Sequence, residues 1–465
     1  MRRLLAAALF LSIATLADRS AAQTLEEALA EAYQSNPTLN AERARLRATD
    51  EQVPQALSGY RPTITSGIQA GGRWIDSNQQ SVTGQQDDAL FERRYSASIE
   101  QPLYRGGQTV AAVRGAENTV RSERARLDSV EQTVLLDAVT AYSDVYRDQA
   151  VLELTISNEQ RLGRQLDATR DRFQVGEVTR TDVSQADARL SRAVADRIGA
   201  EGDLARSRAV YRNVVGTMPG LLPRPPLPDS PPTSLEAANK AALDWNPDVT
   251  AAAFQERSAL DAVDQVKGEL LPSVSLIGRV SRDMDVSRQD SRLDTAEALI
   301  NVEVPLYQAG AVYSRLRERK QLVIEQRRRL DQSQNDAVEG ATRAWNALET
   351  AIAEIRALQK QVQANQLALE GVEKEAEVGA RTVLDVLDAQ QELLDSQVTL
   401  VRSERDEVVA AYQLQSSVGH LTARRLNLAV TPYEPSQHYR EVRDAWFGGS
   451  STGGSSEDFQ RAGGR

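Results

Sequence analysis

Residues 62–77 read PTITSGIQAGGRWIDS and break sharply with the helix-forming composition around them. Alternate positions Ile64, Ser66, Ile68, Ala70 and Trp74 are mostly apolar, whereas Thr63, Thr65, Gln69 and Arg73 are polar. A period of two is the side-chain repeat of a strand, so the stretch predicts a β-strand with one apolar and one polar face. After a polar tip the pattern resumes. Phe91, Tyr95, Ala97, Ile99 and Leu103 alternate with Glu92, Arg94, Ser96, Ser98 and Glu100. Two more such runs follow much later: Val274, Leu276 and Val280 against Ser273, Ser275, Arg279 and Ser281, then Ala296, Ala298, Ile300, Val302 and Val304 against Thr295, Glu297, Asn301 and Glu303. Taken singly, each run suits a soluble hairpin with one buried face. Two matched hairpins with charges repeatedly on the second face, in an exported chain, point instead to a membrane barrel wall, apolar toward lipid and polar toward water.

The four strands belong to a chain written twice. Leu25-Glu26-Glu27-Ala28 with Asn36-Pro37 recurs as Leu235-Glu236-Ala237-Ala238 with Asn246-Pro247, an offset of 210, and Pro62 meets Pro272 at the same offset. From Pro102-Leu103-Tyr104 and Pro305-Leu306-Tyr307 onward the offset is 203. It holds through Gly107 and Gly310, Tyr142 and Trp345, Val175-Gly176 and Val378-Gly379, Asp182-Val183 and Asp385-Val386, and Val215-Gly216 and Val418-Gly419. The length difference falls inside the hairpins, where exposed loop tips tolerate it.

Between Gly107 and about Arg172 there is no proline, and good helix formers dominate. Val113, Val120, Leu127, Val134 and Ala141 recur at every seventh position, and the second copy repeats them as Leu316, Val323, Leu330, Ala337 and Ala344. A sustained seven-residue apolar period predicts supercoiled helices, and about 65 residues make a rod of ~100 Å. A shorter helix follows each rod, with Val183, Leu190, Leu204 and Tyr211 in phase in one copy and Val386, Leu393, Leu400 and Leu414 in the other. A preceding helix is predicted over about residues 25–57 and 235–270.

Met1-Arg2-Arg3, a short apolar stretch and small residues at Ser20 and Ala22 predict a signal peptide over residues 1–22. Its apolar run is too short for a membrane anchor, and no later window approaches a spanning helix. The first repeat then covers 23–218 with its hairpin at about 62–104. A proline-dense linker, 219–234, separates it from the second repeat, 235–430, whose hairpin lies at about 272–307. A C-terminal extension, 431–465, ends in a Gly/Ser-rich tail predicted to be disordered.

Composition excludes several classes. With 66 acidic against 55 basic side chains the net charge is −11, opposite to what a nucleic-acid binder needs. Cysteine is absent, so disulfides, thiol nucleophiles and Cys-ligated zinc are excluded. The 2 histidines, His420 and His438, have neither metal-like spacing nor a neighbouring nucleophile, and no phosphate-cradling loop appears. The chain reads as a non-enzyme without cofactor or metal. Four strands cannot close a barrel, and an open edge cannot sit in lipid. Two chains give eight strands with a filled interior, and three give twelve, which can leave a lumen.

The stretch Val378-Gly379-Ala380-Arg381-Thr382-Val383-Leu384-Asp385-Val386-Leu387-Asp388-Ala389 resembles the second helix-turn of the TolC-like outer membrane efflux proteins. Asn36-Pro37, Gln101-Pro102-Leu103 and Phe173-Gln174-Val175-Gly176 add weaker matches, and the resemblance covers residues 25 to about 430. It implies a mainly α protein with a membrane β-barrel portion: a homotrimer with a twelve-stranded barrel in the outer membrane and a coiled-coil α-helical barrel in the periplasm. The family's members are passive ducts for proteins or small toxic compounds, coupled through a periplasmic adaptor to an inner-membrane transporter.

Asp385 and Asp388 share one helix face. Spacing alone makes them solvated surface aspartates, whereas the resemblance makes them the family's constriction ring, a cation-selective element when repeated around a trimer. The first copy has Asp182 and Gln185 there, so only the second carries the pair. The family's latch between neighbouring coils matches Arg381, Thr181 and Asp182, which implies an Arg381–Asp182 pair. Ala376 stands where relatives have a latch tyrosine, implying looser closure, while the first copy has Phe173. The turns at Val175-Gly176 and Val378-Gly379 match the family's adaptor-docking positions, although a glycine that merely ends a helix explains the residue equally well. A periplasmic coiled-coil adaptor or scaffold is the rival reading. It would share the heptads and the leader without needing the two hairpins.

Overall fold

A computed structural model of the chain describes residues 23–76, 87–229, 232–286 and 290–449. The predicted signal peptide, the end of the Gly/Ser tail and the two hairpin tips at 77–86 and 287–289 lie outside the described residues. The helices in chain order are α1 (Leu25–Ser35), α2 (Pro37–Asp50), α3 (Gln52–Leu57), α4 (Gln108–Gln174), α5 (Arg180–Val215), α6 (Leu235–Trp245), α7 (Pro247–Gly268), α8 (Ala311–Glu377), α9 (Val383–Ser417) and α10 (Gln437–Val442). The strands are β1 (Thr63–Asp76), β2 (Asp87–Arg105), β3 (Ser273–Met284) and β4 (Arg292–Glu303). Among the described residues no helix is long and apolar enough to cross a membrane.

Each helix predicted ahead of a hairpin is broken, which corrects the single spans 25–57 and 235–270. The cause is Asn36-Pro37 and Asn246-Pro247. A proline pushes the preceding residue out of the helical region, and Asn36 and Asn246 have ψ of 122° and 125°, while proline itself suits the first position of the next helix. The asparagines serve as clamps. Asn36 accepts the N–H groups of Thr38 and Leu39 and donates its amide to the Val214 carbonyl at 3.0 Å. Asn246 donates to the Ser417 carbonyl at 3.1 Å. The repeated dipeptide therefore ties each break to the end of the shorter helix of its own repeat.

The chain divides into two compact units. The helical unit holds residues up to Ala41, Asp128–Asn246 and Asp336–Pro432. Its core follows the predicted seven-residue stripes: Val134, Ala141, Ala337 and Ala344 are buried, as are Leu204, Tyr211, Val386, Leu393 and Leu414. Leu162 and Leu166 of α4 pack with Ala186 and Ala193 of α5 and with Val383 and Leu387 of α9. Ala238 packs with Ala344, Leu414 and Val418. The proline-rich linker is pinned to this unit chiefly through its carbonyls, the only backbone polar group a proline offers, with Leu222 N–H also donating to Gln149 Oε1 at 3.1 Å. Tyr142 donates to Pro223, Gln149 to Gly220, Tyr412 to Pro226 and Gln415 to Asp229.

The second unit holds Glu42–Leu127, Pro247–Asn335 and the residues from Tyr433, and it carries the sheet. The four strands form one antiparallel sheet in the order β1-β2-β3-β4. Pairing of β2 with β3 joins the two hairpins and leaves β1 and β4 as edges. The second hairpin stops at Glu303, short of the expected 307, because Pro305 cannot donate to a ladder. Pro102 has a similar effect within β2. The register with β3 shifts between Pro102 and Tyr104, so that Tyr104 rather than Leu103 faces Val274.

Candidate functional site

Strand register decides what the alternating patterns mean. Ile64 lies opposite Ile99 and Ile68 opposite Tyr95. Ala97 faces Val280, which faces Ala296, and Leu276 faces Ile300. These residues share one face of the sheet, and it is bare: Ile68 is 75% and Ile300 69% exposed. Among the described residues nothing covers it. The opposite face is cross-linked by polar contacts. Arg279 pairs with Glu297 at 3.2 Å, Arg94 with Asp283 at 2.6 Å and Arg73 with Glu92 at 2.8 Å, and the hydroxyls of Thr65 and Ser98 meet at 2.8 Å. Below the Tyr95 row, where Arg282 and Asp294 pair at 2.7 Å on the otherwise apolar side, the sheet is hydrophobic toward one side and polar toward the other, as suits an interface between lipid and water.

In the helical unit, the predicted docking, latch and constriction residues lie at two turns of identical construction. α4 ends in a Schellman motif: Glu177 N–H bonds the Arg172 carbonyl and Gly176 N–H that of Phe173. α8 repeats it with Ala380 to Glu375 and Gly379 to Ala376. Gly176 and Gly379 have φ of 81° and 77°, and a Cβ at either would meet nothing within 4 Å. Their conformation, not close approach within the chain, requires glycine. The adjacent valines stand out in solvent, Val175 72% and Val378 81% exposed.

The aspartates come next, and both copies use them as caps. Thr179 N–H and hydroxyl donate to Asp182 Oδ2, both at 2.8 Å, while Asp182 N–H returns a bond to Thr179 Oγ1. Thr382 and Asp385 form the same capping box at 2.9 and 2.8 Å. The Thr382 N–H and hydroxyl, followed by the nearby Arg381 charge, hold the Asp385 carboxyl below the usual carboxylate range. Arg381 itself donates to Glu375 Oε2 at 2.9 Å across the turn, and that bond pushes its pKa up. Within the chain Arg381 is therefore paired with Glu375 and not with Asp182. Thr181 is exposed beside the cap, and the threonine that engages Asp182 is Thr179. Asp388, one turn further along α9, is bonded by the Arg189 guanidinium of α5.

Four participants were thus missed in the sequence. Thr179 and Thr382 had a legible signal, the T-x-x-D box ahead of a helix. Glu375 and Arg189 had none, since each is identified by a partner it meets only in the fold.

The model of the outer membrane efflux protein family matches residues 28–217 and 239–420, one match in each repeat. The chain is 36% identical over 449 residues to the outer membrane efflux protein BepC of Brucella suis biovar 1, covering 96% of each. It is 27% identical over 431 residues to the outer membrane protein TolC of Vibrio cholerae, covering 91% of this chain and 96% of that one. The solved CmeC outer membrane channel of Campylobacter jejuni has the same fold, with a TM-score of 0.77 at 15% identity over 90% of this chain and 89% of that one. Matched in both halves and aligned almost end to end with such a relative, this chain belongs to the outer membrane efflux protein family: it is an outer-membrane exit duct with a periplasmic helical portion and not a periplasmic adaptor.

Proposed function

We propose that three copies complete a passive, water-filled conduit, gated at the helix turns, that receives its cargo from an inner-membrane transporter through a periplasmic adaptor. The observation that carries this reading is the sheet. It has four strands, two unpaired edges, one bare apolar face and one ion-paired face. Unpaired edges are costly in hydrocarbon, and joining β4 of one copy to β1 of the next removes them. Three copies make twelve strands, the smaller count with room for a lumen. The polar ladder then lines the water column and the apolar face meets lipid. The protein performs no chemistry of its own, and the transporter supplies the energy.

At the mouth, Asp385 and Asp388 form the constriction ring, with Asp385 held ionised by its cap. Arg381, Thr181 and Asp182 are the latch. Closing it requires Arg381 to leave Glu375 for the Asp182 of a neighbouring coil, an exchange between exposed ion pairs worth under ~1 kcal/mol each. A latch of that strength is suited to release by a docking partner. Val175-Gly176 and Val378-Gly379 are the docking turns.

Two measurements test the proposal. Outer membranes extracted in detergent should show a trimer band on a gel only when unboiled, and a monomer in both lanes would sink the three-copy conduit. In planar bilayers Arg381→Ser should raise single-channel conductance, and an unchanged value would remove the latch.

A further inference from the structure

Past residue 420, where the family match ends, the chain reaches the sheet-bearing unit and lays a strap along it. The contacts of residues 433–447 advance in order. Arg43 stacks over the Tyr433 ring at 5.3 Å. His438 Nδ1 lies 3.3 Å from Oδ2 of the fully buried Asp50, and Nε2 is 3.8 Å from Glu51. Tyr439 lies beneath Arg124 at 5.1 Å and donates its hydroxyl to Glu117 at 3.4 Å. Arg61 donates to the Ala445 carbonyl at 2.6 Å and covers the Trp446 ring at 4.9 Å. As the strap runs from 433 to 438 to 446, its partners climb from 43 to 50 to 61. The strap therefore runs parallel to α2 and α3 and ends beside Arg61, just before Thr63 opens β1.

That end of the sheet has its own character. Tyr60 precedes β1, Tyr104 closes β2 opposite Val274, and Tyr307 follows β4; all three are exposed. On that face the Tyr95 row already carries the Arg282–Asp294 ion pair, and the bare apolar stretch runs from there to the Tyr104 row. The eight residue steps along β3 between these rows span roughly 27 Å, and a tilt of about 40° reduces this to ~21 Å along the membrane normal, near the ~25 Å apolar band of barrel walls. Aromatic residues flank such bands, their rings lying at headgroup level. Trp446, 59% exposed despite the arginine over it, and Phe447, 94% exposed, are delivered to the same level by the strap.

From this we infer that the C-terminal strap is a lipid anchor, with Trp446 and Phe447 entering the interfacial layer of the periplasmic leaflet of the outer membrane beside Tyr60 and Tyr104. The inference rests on the sheet being a barrel wall. The strap fixes the axial position of the duct from outside the barrel, and Arg61, stacked on Trp446, lies at the depth of lipid phosphates.

Tryptophan fluorescence in liposomes made with brominated phosphatidylcholine tests it, using bromines placed either near the headgroup or near the bilayer centre. Wild type, Trp446→Phe and Ile64→Trp are compared, Ile64 lying opposite Ile99 inside the apolar band and both substituted side chains being exposed. Trp446→Phe should lose part of the emission quenched by headgroup-side bromines and none of that quenched at the bilayer centre. Quenching identical to wild type would overturn the anchor. If Ile64→Trp still adds quenchable emission, the anchor alone fails; if it also adds none, the barrel wall fails with it. A Trp446 emission that is blue-shifted yet unquenched would mean that a second copy covers the ring, which also overturns the anchor.

Discussion

Replacing Val175 and Val378 by serine tests the docking turns without disturbing the fold. Each valine follows the last turn of its long helix, and its N–H bonding is unaffected by the side chain. At 72% and 81% exposure neither contributes much to the folded chain, so stability should change by under about 0.5 kcal/mol. Fully burying a valine is worth ~1.5–3 kcal/mol, and most of that remains available to a partner that covers these turns. Allowing for incomplete burial, each turn stands to lose ~1–2 kcal/mol of binding. At tenfold per ~1.4 kcal/mol, that is roughly 5- to 30-fold in affinity per turn. The assay is surface plasmon resonance between the detergent-solubilised channel and its purified adaptor, with thermal melting of each variant as the control for folding. Undiminished affinity in the double variant, at unchanged melting temperature, would refute the assignment of these turns to docking.

Three further expectations follow from particular contacts. Gly379→Ala places a side chain in open space at φ 77°, whereas Gly419→Ala at φ 75° drives its Cβ to 2.2 Å from the Trp245 carbonyl oxygen; thermal melting should show a cost of about 1 kcal/mol for the first and about 2–4 kcal/mol for the second. Arg189→Gln frees the Asp388 carboxylate, so cation-over-anion selectivity read from bilayer reversal potentials should increase, and Asp388→Asn should decrease it. Burial, and secondarily Arg425, hold the His420 pKa below its ordinary value near 6.5, which means that the folded state favours the neutral ring. The associated stability is complete above about pH 6.5 and is lost as pH falls through the lowered value; His420→Gln should flatten the acid side of the melting-temperature profile, and a slope equal to wild type would exclude His420 as its cause.

Much of the site was readable in one dimension because it is built from local rules. Gly176 and Gly379 announce helix ends, and the threonine and aspartate three residues apart at 179–182 and 382–385 announce helix starts. These caps also explain why Asp182 and Asp385 match across the repeats, a role that spacing alone did not separate from solvated surface aspartates. Arg381 shows where local reading stops. Its sequence context matched a latch, yet within one chain the carboxylate it bonds is Glu375, on the preceding side of a turn whose closure places the two side chains together.

Residue order alone determined the period-two runs, the seven-residue stripes and the doubled plan, because a side chain's face is set by backbone periodicity within a few residues. What it left open was partner choice across long separations. Pairing of β2 with β3 merges two hairpins into one sheet and brings Arg94 to Asp283. Arg189 reaches Asp388 only because α5 and α9 pack together, and the strap finds Arg61 across nearly the whole length of the chain. Such contacts depend on which elements the fold makes neighbours, and no local pattern in a sequence carries that information.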